Sequence, residues 1–205
     1  MTAEENAIVL DFMPKGKSSA AKSEPLAQVI GKDYFTLLEV VPKAGVALNI
    51  GDEVYVGKEE RPKIDLIKGR ISFSELTSNS LSDLEEMVEK IVDGNTQKFL
   101  GFYNTSKSIS LVRHQLELLP GVGKKHMLEA LNEREKKPFE SFEDITKRVK
   151  GISEPKRYVV KRIIEELEGP EDKHYLFVRA PAEPKQDFYR GRPPFKRDFS
   201  RPRNY

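Results

Sequence analysis

The sequence predicts an α+β protein: a small N-terminal β-barrel, a helical domain after it, and a polar C-terminal tail. Three observations carry this. Residues 6–75 contain five short runs rich in β-branched and aromatic residues, with no helix between most of them. Residues 80–169 carry apolar stripes at three- and four-residue spacing, interrupted by short glycine turns. From Ala180 onward Pro, Arg, Gly and aromatics dominate, a composition that cannot bury a core. The expected boundaries are 1–79 for the barrel, 80–103 for connecting helices, 104–169 for the helical domain, 170–179 for a returning strand and 180–205 for a disordered tail.

The strand runs are 7–13, 26–30, 34–40, 53–57 and 64–73, with Gly31-Lys32-Asp33 a hairpin-length link between the second and third. Five strands in so short a stretch suggest a small closed barrel. The Gly51-Asp52-Glu53-Val54-Tyr55-Val56 segment resembles the corresponding strand of OB-fold barrels. Barrels of that kind often bind single-stranded nucleic acid by stacking bases on exposed aromatics beside basic loops. Tyr34 and Tyr55 are the aromatic candidates, and Lys15, Lys17 and Lys22 stand in the long loop 14–24. The barrel has no basic excess, however, with 10 basic against 12 acidic side chains in residues 1–75. Gly16-Lys17-Ser18 is not a nucleotide-binding loop: the position five residues before Gly16 is Asp11, where such a loop needs glycine.

Ser82-Asp83-Leu84-Glu85 reads as a capping box opening a helix with Leu84, Met87, Val88, Ile91 and Val92 on one stripe and Gly94 just past its end. A second connecting helix is expected over 96–103. Ile109, Leu111, Val112, Leu116 and Leu119 then fit an apolar helix that runs into Pro120-Gly121-Val122-Gly123, and another helix opens at once with Lys124 and Lys125. Two glycines around one apolar residue let the backbone turn tightly and approach a ligand closely. The following helix start offers unpaired N–H groups and a positive dipole end, suited to a phosphate oxygen. This stretch resembles the hairpin of a helix-hairpin-helix motif. The motif is doubled: Ser141 caps a short helix with Phe142, Ile145 and Val149 on its apolar face, Gly151-Ile152-Ser153 turns, and Ser153 caps a last helix with Val160, Ile163, Ile164 and Leu167 inward. In this second unit Ser153 replaces a glycine and Pro155 removes a donor, so its grip on a backbone is weaker. Its outer face carries Lys156, Arg157, Lys161 and Arg162. A strand over 174–178 has the barrel edge as its available partner.

Charge is distributed to match. Residues 1–103 carry 12 basic and 17 acidic side chains, residues 104–169 carry 14 and 11, and residues 180–205 carry seven and three. Positive potential therefore collects on the hairpin domain and the tail. In the tail, Arg190, Arg192 and Arg197 interleave with aromatics, a pattern suited to stacking on unpaired bases while pairing phosphates. No apolar run approaches the ~18 residues of a membrane helix. No signal peptide is expected at the acidic N-terminus, and no cysteine is present, so the reading is cytoplasmic.

Taken end to end, the chain resembles the archaeal domain of unknown function 655 family, described as an OB-like barrel joined to a tandem helix-hairpin-helix. The resemblance implies a nucleic-acid-binding role, with RNA favoured over DNA and ribonucleoprotein components as further partners, and it supplies no catalytic residues. The residues themselves point the same way. His114, His126 and His174 have no metal-ligand spacing, no serine sits on a nucleophile elbow, and no carboxylate constellation stands out. No cofactor, metal or catalytic residue is expected; at low pH His114 and His126 would add charge beside the hairpin. Two readings remain: a non-catalytic nucleic-acid binder, and a structural adaptor that uses the same hairpins to dock a protein in an RNA-processing or translation assembly.

Overall fold

The computed structural model describes residues 4–17, 24–172 and 174–180. Lys22 and the tail arginines Arg190, Arg192 and Arg197 lie outside the described residues. Five strands, β1 (Asn6–Met13), β2 (Leu26–Gly31), β3 (Leu37–Pro42), β4 (Glu53–Tyr55) and β5 (Ile64–Arg70), precede five α-helices. These are α1 (Ser78–Gly94), α2 (Thr96–Thr105), α3 (Lys124–Lys136), α4 (Phe142–Arg148) and α5 (Pro155–Glu168). Among the described residues no helix is long and apolar enough to cross a membrane.

The strands form one antiparallel sheet in the order β4-β1-β2-β3-β5, curled into a half-barrel. The closed barrel expected from the sequence is not reached, because β4 and β5 remain the two edges. Curling explains why β2 and β3 are buried along their whole length. Alternate side chains face opposite sides of a sheet. Ala7, Val9, Ala27, Val29, Val40 and Val54 fill the inside of the curl. Ile8, Leu10, Ile30 and Leu37 face outward into a second core that continues through α1 and α2 to α3, α4 and α5. Sheet and helices therefore share one apolar mass.

A buried polar row fixes that junction. Asp11, Gln28 and Glu39 lie opposite one another on β1, β2 and β3. Gln28 is fully buried, yet its amide donates to Glu39 (3.3 Å) and to the Glu75 carbonyl (2.9 Å). Its oxygen accepts from the Thr77 N–H (2.9 Å) and the Ser80 hydroxyl (2.8 Å). Every hydrogen-bonding site of the amide is used, which offsets the cost of burying it. Thr77, whose hydroxyl also donates to Asp11 (2.7 Å), accepts from the Ser80 N–H and caps α1. The helix thus starts at Ser78, a turn earlier than the Ser82 box predicts, and Ser82 lies inside it.

Two further sequence expectations are corrected. Residues 106–114 are not helical: a tight bend is closed by Ile109 N–H to the Arg113 carbonyl (2.9 Å) and a bridge between Ser108 and His114, and only Gln115–Leu118 form a short 3-10 turn. Leu111 and Val112 project from the bend at 106% and 81% exposure instead of lining a helix face. Residues 174–178 are not a strand. The segment does return to the sheet, where Arg179 N–H donates to the Tyr34 carbonyl (3.0 Å). It is held by Glu166 on α5, whose buried carboxylate accepts from the N–H groups of Leu176 (2.7 Å), Phe177 (2.9 Å) and Val178 (2.8 Å). Phe177 packs edge-on against Phe99 and Phe102. Glu4 does the same for the loop before β3, accepting from Asp33, Tyr34 and Thr36 and so holding Phe35 at φ 53.

Candidate nucleic-acid interface

Two chain reversals in the helical region share one backbone geometry. In Leu119-Pro120-Gly121-Val122 the Val122 N–H donates to the Leu119 carbonyl (3.0 Å) and Gly121 has φ +90. In Val149-Lys150-Gly151-Ile152 the Ile152 N–H donates to the Val149 carbonyl (3.3 Å) and Gly151 also has φ +90. An i to i+3 bond with positive φ at the third residue is the pattern of a type II turn, which selects glycine there. Leu119, Val122, Val149 and Ile152 are all buried, so each turn is anchored by its flanking apolar residues. Val122 therefore presents only backbone at the surface.

The two turns are tied across the helices. A Cβ on Gly121 would stand 3.2 Å from the Tyr158 ring of α5, and one on Gly151 would stand 2.5 Å from His126 Nε2 of α3. His126 Nδ1 also lies 3.3 Å from the Gly121 carbonyl, so this ring bridges both turns. Each glycine leaves room for a side chain from the other unit.

The turns open onto different helix starts. Gly123 is the N-cap of α3, with extended φ −84 and ψ 173 and no side-chain cap. The first turn of α3 has no acidic residue, and Lys124 and Lys125 are exposed, without an ion pair among the described residues. The N–H groups at such a start lack intrahelical acceptors. The second unit is neutralised. Its N-cap is Glu154 rather than Ser153, Pro155 occupies N1, and Arg157 pairs with Glu154 (3.4 Å). Lys156 pairs with Glu89 (2.7 Å) and Asp93 (3.1 Å) of α1, and these partners raise its pKa. Arg162 does not lie on the outer face: its side chain is 5% exposed and bonds Glu166 (2.9 Å) and Asp172 (3.2 Å).

Other arginines of this region are structural. Arg134 donates to the Tyr103 carbonyl and to the Ser106 hydroxyl and carbonyl, satisfying the end of α2. Arg148 bonds Asp144 (3.0 Å) and Glu133 and stacks over Phe139. Ser141 does cap α4, accepting from the Asp144 N–H (3.1 Å). His114 is no surface cation: its Nδ1 accepts from the Leu116 N–H (3.1 Å), it is 5% exposed, and burial together with Arg134 holds its pKa below the usual imidazole value. On the sheet, Lys17 pairs with Glu39 (2.5 Å), Tyr34 lies under the Arg179 guanidinium, and the Tyr55 hydroxyl accepts from the Glu59 N–H (3.4 Å). The structure thus groups Gly121, Gly123, Lys124 and Lys125 and gives Lys17, Lys156 and Arg157 carboxylate partners.

The match to known proteins covers this whole body. A family model described as protein of unknown function (DUF655) matches residues 3–179. The chain belongs to the DUF655 family. It is 39% identical over 177 residues to the uncharacterised protein MJ0038 of Methanocaldococcus jannaschii, covering 86% of this chain and 80% of that one. Its fold is similar to the crystal structure of Af1531 from Archaeoglobus fulgidus, also of family DUF655, with a TM-score of 0.79 and 46% identity over 86% of this chain and 100% of that one. DUF655 membership accounts for the sheet and helices together and leaves the tail outside the matched residues. The glycine turns were legible in the sequence; the Glu4 clasp and the exposed Leu111–Val112 tip were not.

Proposed function

We propose that this DUF655 protein is a non-catalytic nucleic-acid-binding protein that grips phosphate backbone through its first glycine turn. The observation that carries the reading is the asymmetry between two turns of equal geometry. The first opens onto an uncapped helix start with two unpaired lysines; the second opens onto Glu154 and Pro155. A phosphate oxygen at the first would meet backbone N–H groups, the positive helix end and two ammonium groups together. In this reading the two units form a tandem helix-hairpin-helix whose first helix is reduced to a 3-10 turn, and the half-barrel is an OB-like module. RNA is favoured over DNA because base-splaying single strands suit the tail's arginines and aromatics better than an intact duplex does. The test is a competition between looped RNA and duplex DNA at matched phosphate concentration and fixed salt. Tighter RNA binding is expected, and equal or better duplex binding overturns the preference.

One observation favours a second reading. Leu111 and Val112 are fully solvated apolar side chains on a closed bend, the kind of surface a protein partner covers. Under that reading the chain is an adaptor in a ribonucleoprotein assembly, and polynucleotide affinity is absent at every salt concentration.

A further inference from the structure

A cavity of about 540 Å³ lies where β5, the C-terminal end of α5 and the returning segment meet the start of β3. That volume is in the range of about 300–1,000 Å³ that holds small ligands. Phe73, Leu167, Tyr175 and Val178 line it, all only half-buried, so each keeps apolar surface that an occupant would cover. Thr36, also on the wall, is 7% exposed, and its hydroxyl is the one buried side-chain polar atom without a hydrogen-bond partner among the described residues. A buried hydroxyl in that condition destabilises the fold that contains it, and such atoms ask for an explanation. One step between staggered rotamers moves a threonine's hydroxyl into the position its methyl held, so the Thr36 oxygen has a second orientation within reach. Arg70 stands exposed on the rim, without an ion pair among the described residues.

We propose that this cavity takes one unpaired nucleotide of the bound strand: the base against Phe73 and Tyr175, the Thr36 hydroxyl on a base edge, and the phosphate on Arg70. The proposal rests on the nucleic-acid reading and names where that strand goes after the glycine turn. Both sites lie along α5. Tyr158 packs on Gly121, and Leu167, nine residues further, lines the cavity. At 1.5 Å per residue that is about 14 Å, a few nucleotides of single strand.

The experiment is a methyl NMR titration of the full chain with uridine monophosphate or adenosine monophosphate, beside uridine, inorganic phosphate and decanoate. Saturable shifts at the Leu167 and Val178 methyls are expected with the monophosphates. Uridine or phosphate alone should bind about tenfold more weakly, the loss of one charged contact or of the ring. Thr36→Val should act in opposite directions on two readouts. It should raise the melting temperature of the free protein by about 2–4 °C by removing an unpaired hydroxyl. It should also weaken monophosphate binding about tenfold. Arg70→Gln should bring monophosphate affinity down to that of uridine and leave uridine unchanged. Unaltered affinity in Thr36→Val, or preference for decanoate over every nucleotide, overturns the proposal. So does the absence of methyl shifts in a protein that still binds polynucleotide. Saturable monophosphate binding without any polynucleotide binding keeps the cavity as a nucleotide site and overturns both the backbone grip and the placing of a strand in the cavity.

Discussion

Glu166→Gln tests the clasp that closes the fold. The Glu166 side chain is fully buried and serves four donors: the backbone N–H groups of Leu176, Phe177 and Val178, at 2.7–2.9 Å, and Arg162 Nε at 2.9 Å. Glutamine keeps the shape but offers one acceptor oxygen, and its amide faces donors with a donor. At least one buried N–H then loses its partner, at about 1–3 kcal/mol. Arg162 loses its closest counter-charge; breaking a buried pair costs about 3–5 kcal/mol, of which Asp172 at 3.2 Å recovers part. The net loss is about 3–5 kcal/mol. For a chain of this size that is a drop of roughly 6–20 °C in melting temperature, at about 2–4 °C per kcal/mol. Thermal denaturation followed by circular dichroism reads the loss, and amide exchange at residues 176–178 reads where it falls. A loss below about 1 kcal/mol with those amides still protected would refute the clasp.

Gly121→Ala and Gly151→Ala should each cost about 1–3 kcal/mol, because an L side chain at φ +90 is strained and its Cβ meets Tyr158 or His126; equilibrium denaturation within about 0.5 kcal/mol of wild type would contradict the turn assignment. His114 predicts a pH dependence. Its folded pKa lies below its unfolded value of about 6.5, so its contribution is present above that pH and is lost as pH falls through the folded pKa. His114→Asn keeps an N-cap acceptor without the titration, and its stability relative to wild type should improve from pH 7.5 to 5.5; a constant difference would mean that His114 does not titrate in that window.

The sequence announced the strands because β-branched runs between turn residues have few other uses, and it announced the glycine turns because φ +90 excludes other residues. Barrel closure was not legible: pairing of β4 with β5 depends on how far the sheet curls, which no local pattern encodes. The misplaced helix over 109–119 has a physical reason. Its apolar residues fit helical spacing, but Ser108 and Ser110 flank Ile109 and favour side-chain and backbone bonds over a helix interior. His114 caps a new turn there with its own ring nitrogen. The clasp left a readable trace. Glu166 lies three residues after Ile163, inside the stripe that buries α5, and a carboxylate at such a position requires buried donors. Lys156 was unreadable as an ion-pair partner because Glu89 and Asp93 reach it from another helix, whereas Arg162 has Glu166 four residues further along its own helix.

The central claim is that the first glycine turn, with its unpaired lysines, grips phosphate while the carboxylate-paired lysine of the second unit does not. It is tested most directly by the salt dependence of polynucleotide affinity in Lys124→Ala/Lys125→Ala beside Lys156→Ala. Each phosphate contact contributes roughly 0.7–0.9 to the slope of log affinity against log salt. The double variant should flatten that slope by up to about two units and weaken binding evenly across sequences, while Lys156→Ala leaves the slope unchanged. A wild-type slope in the folded double variant would contradict the claim and remove the turn from the interface.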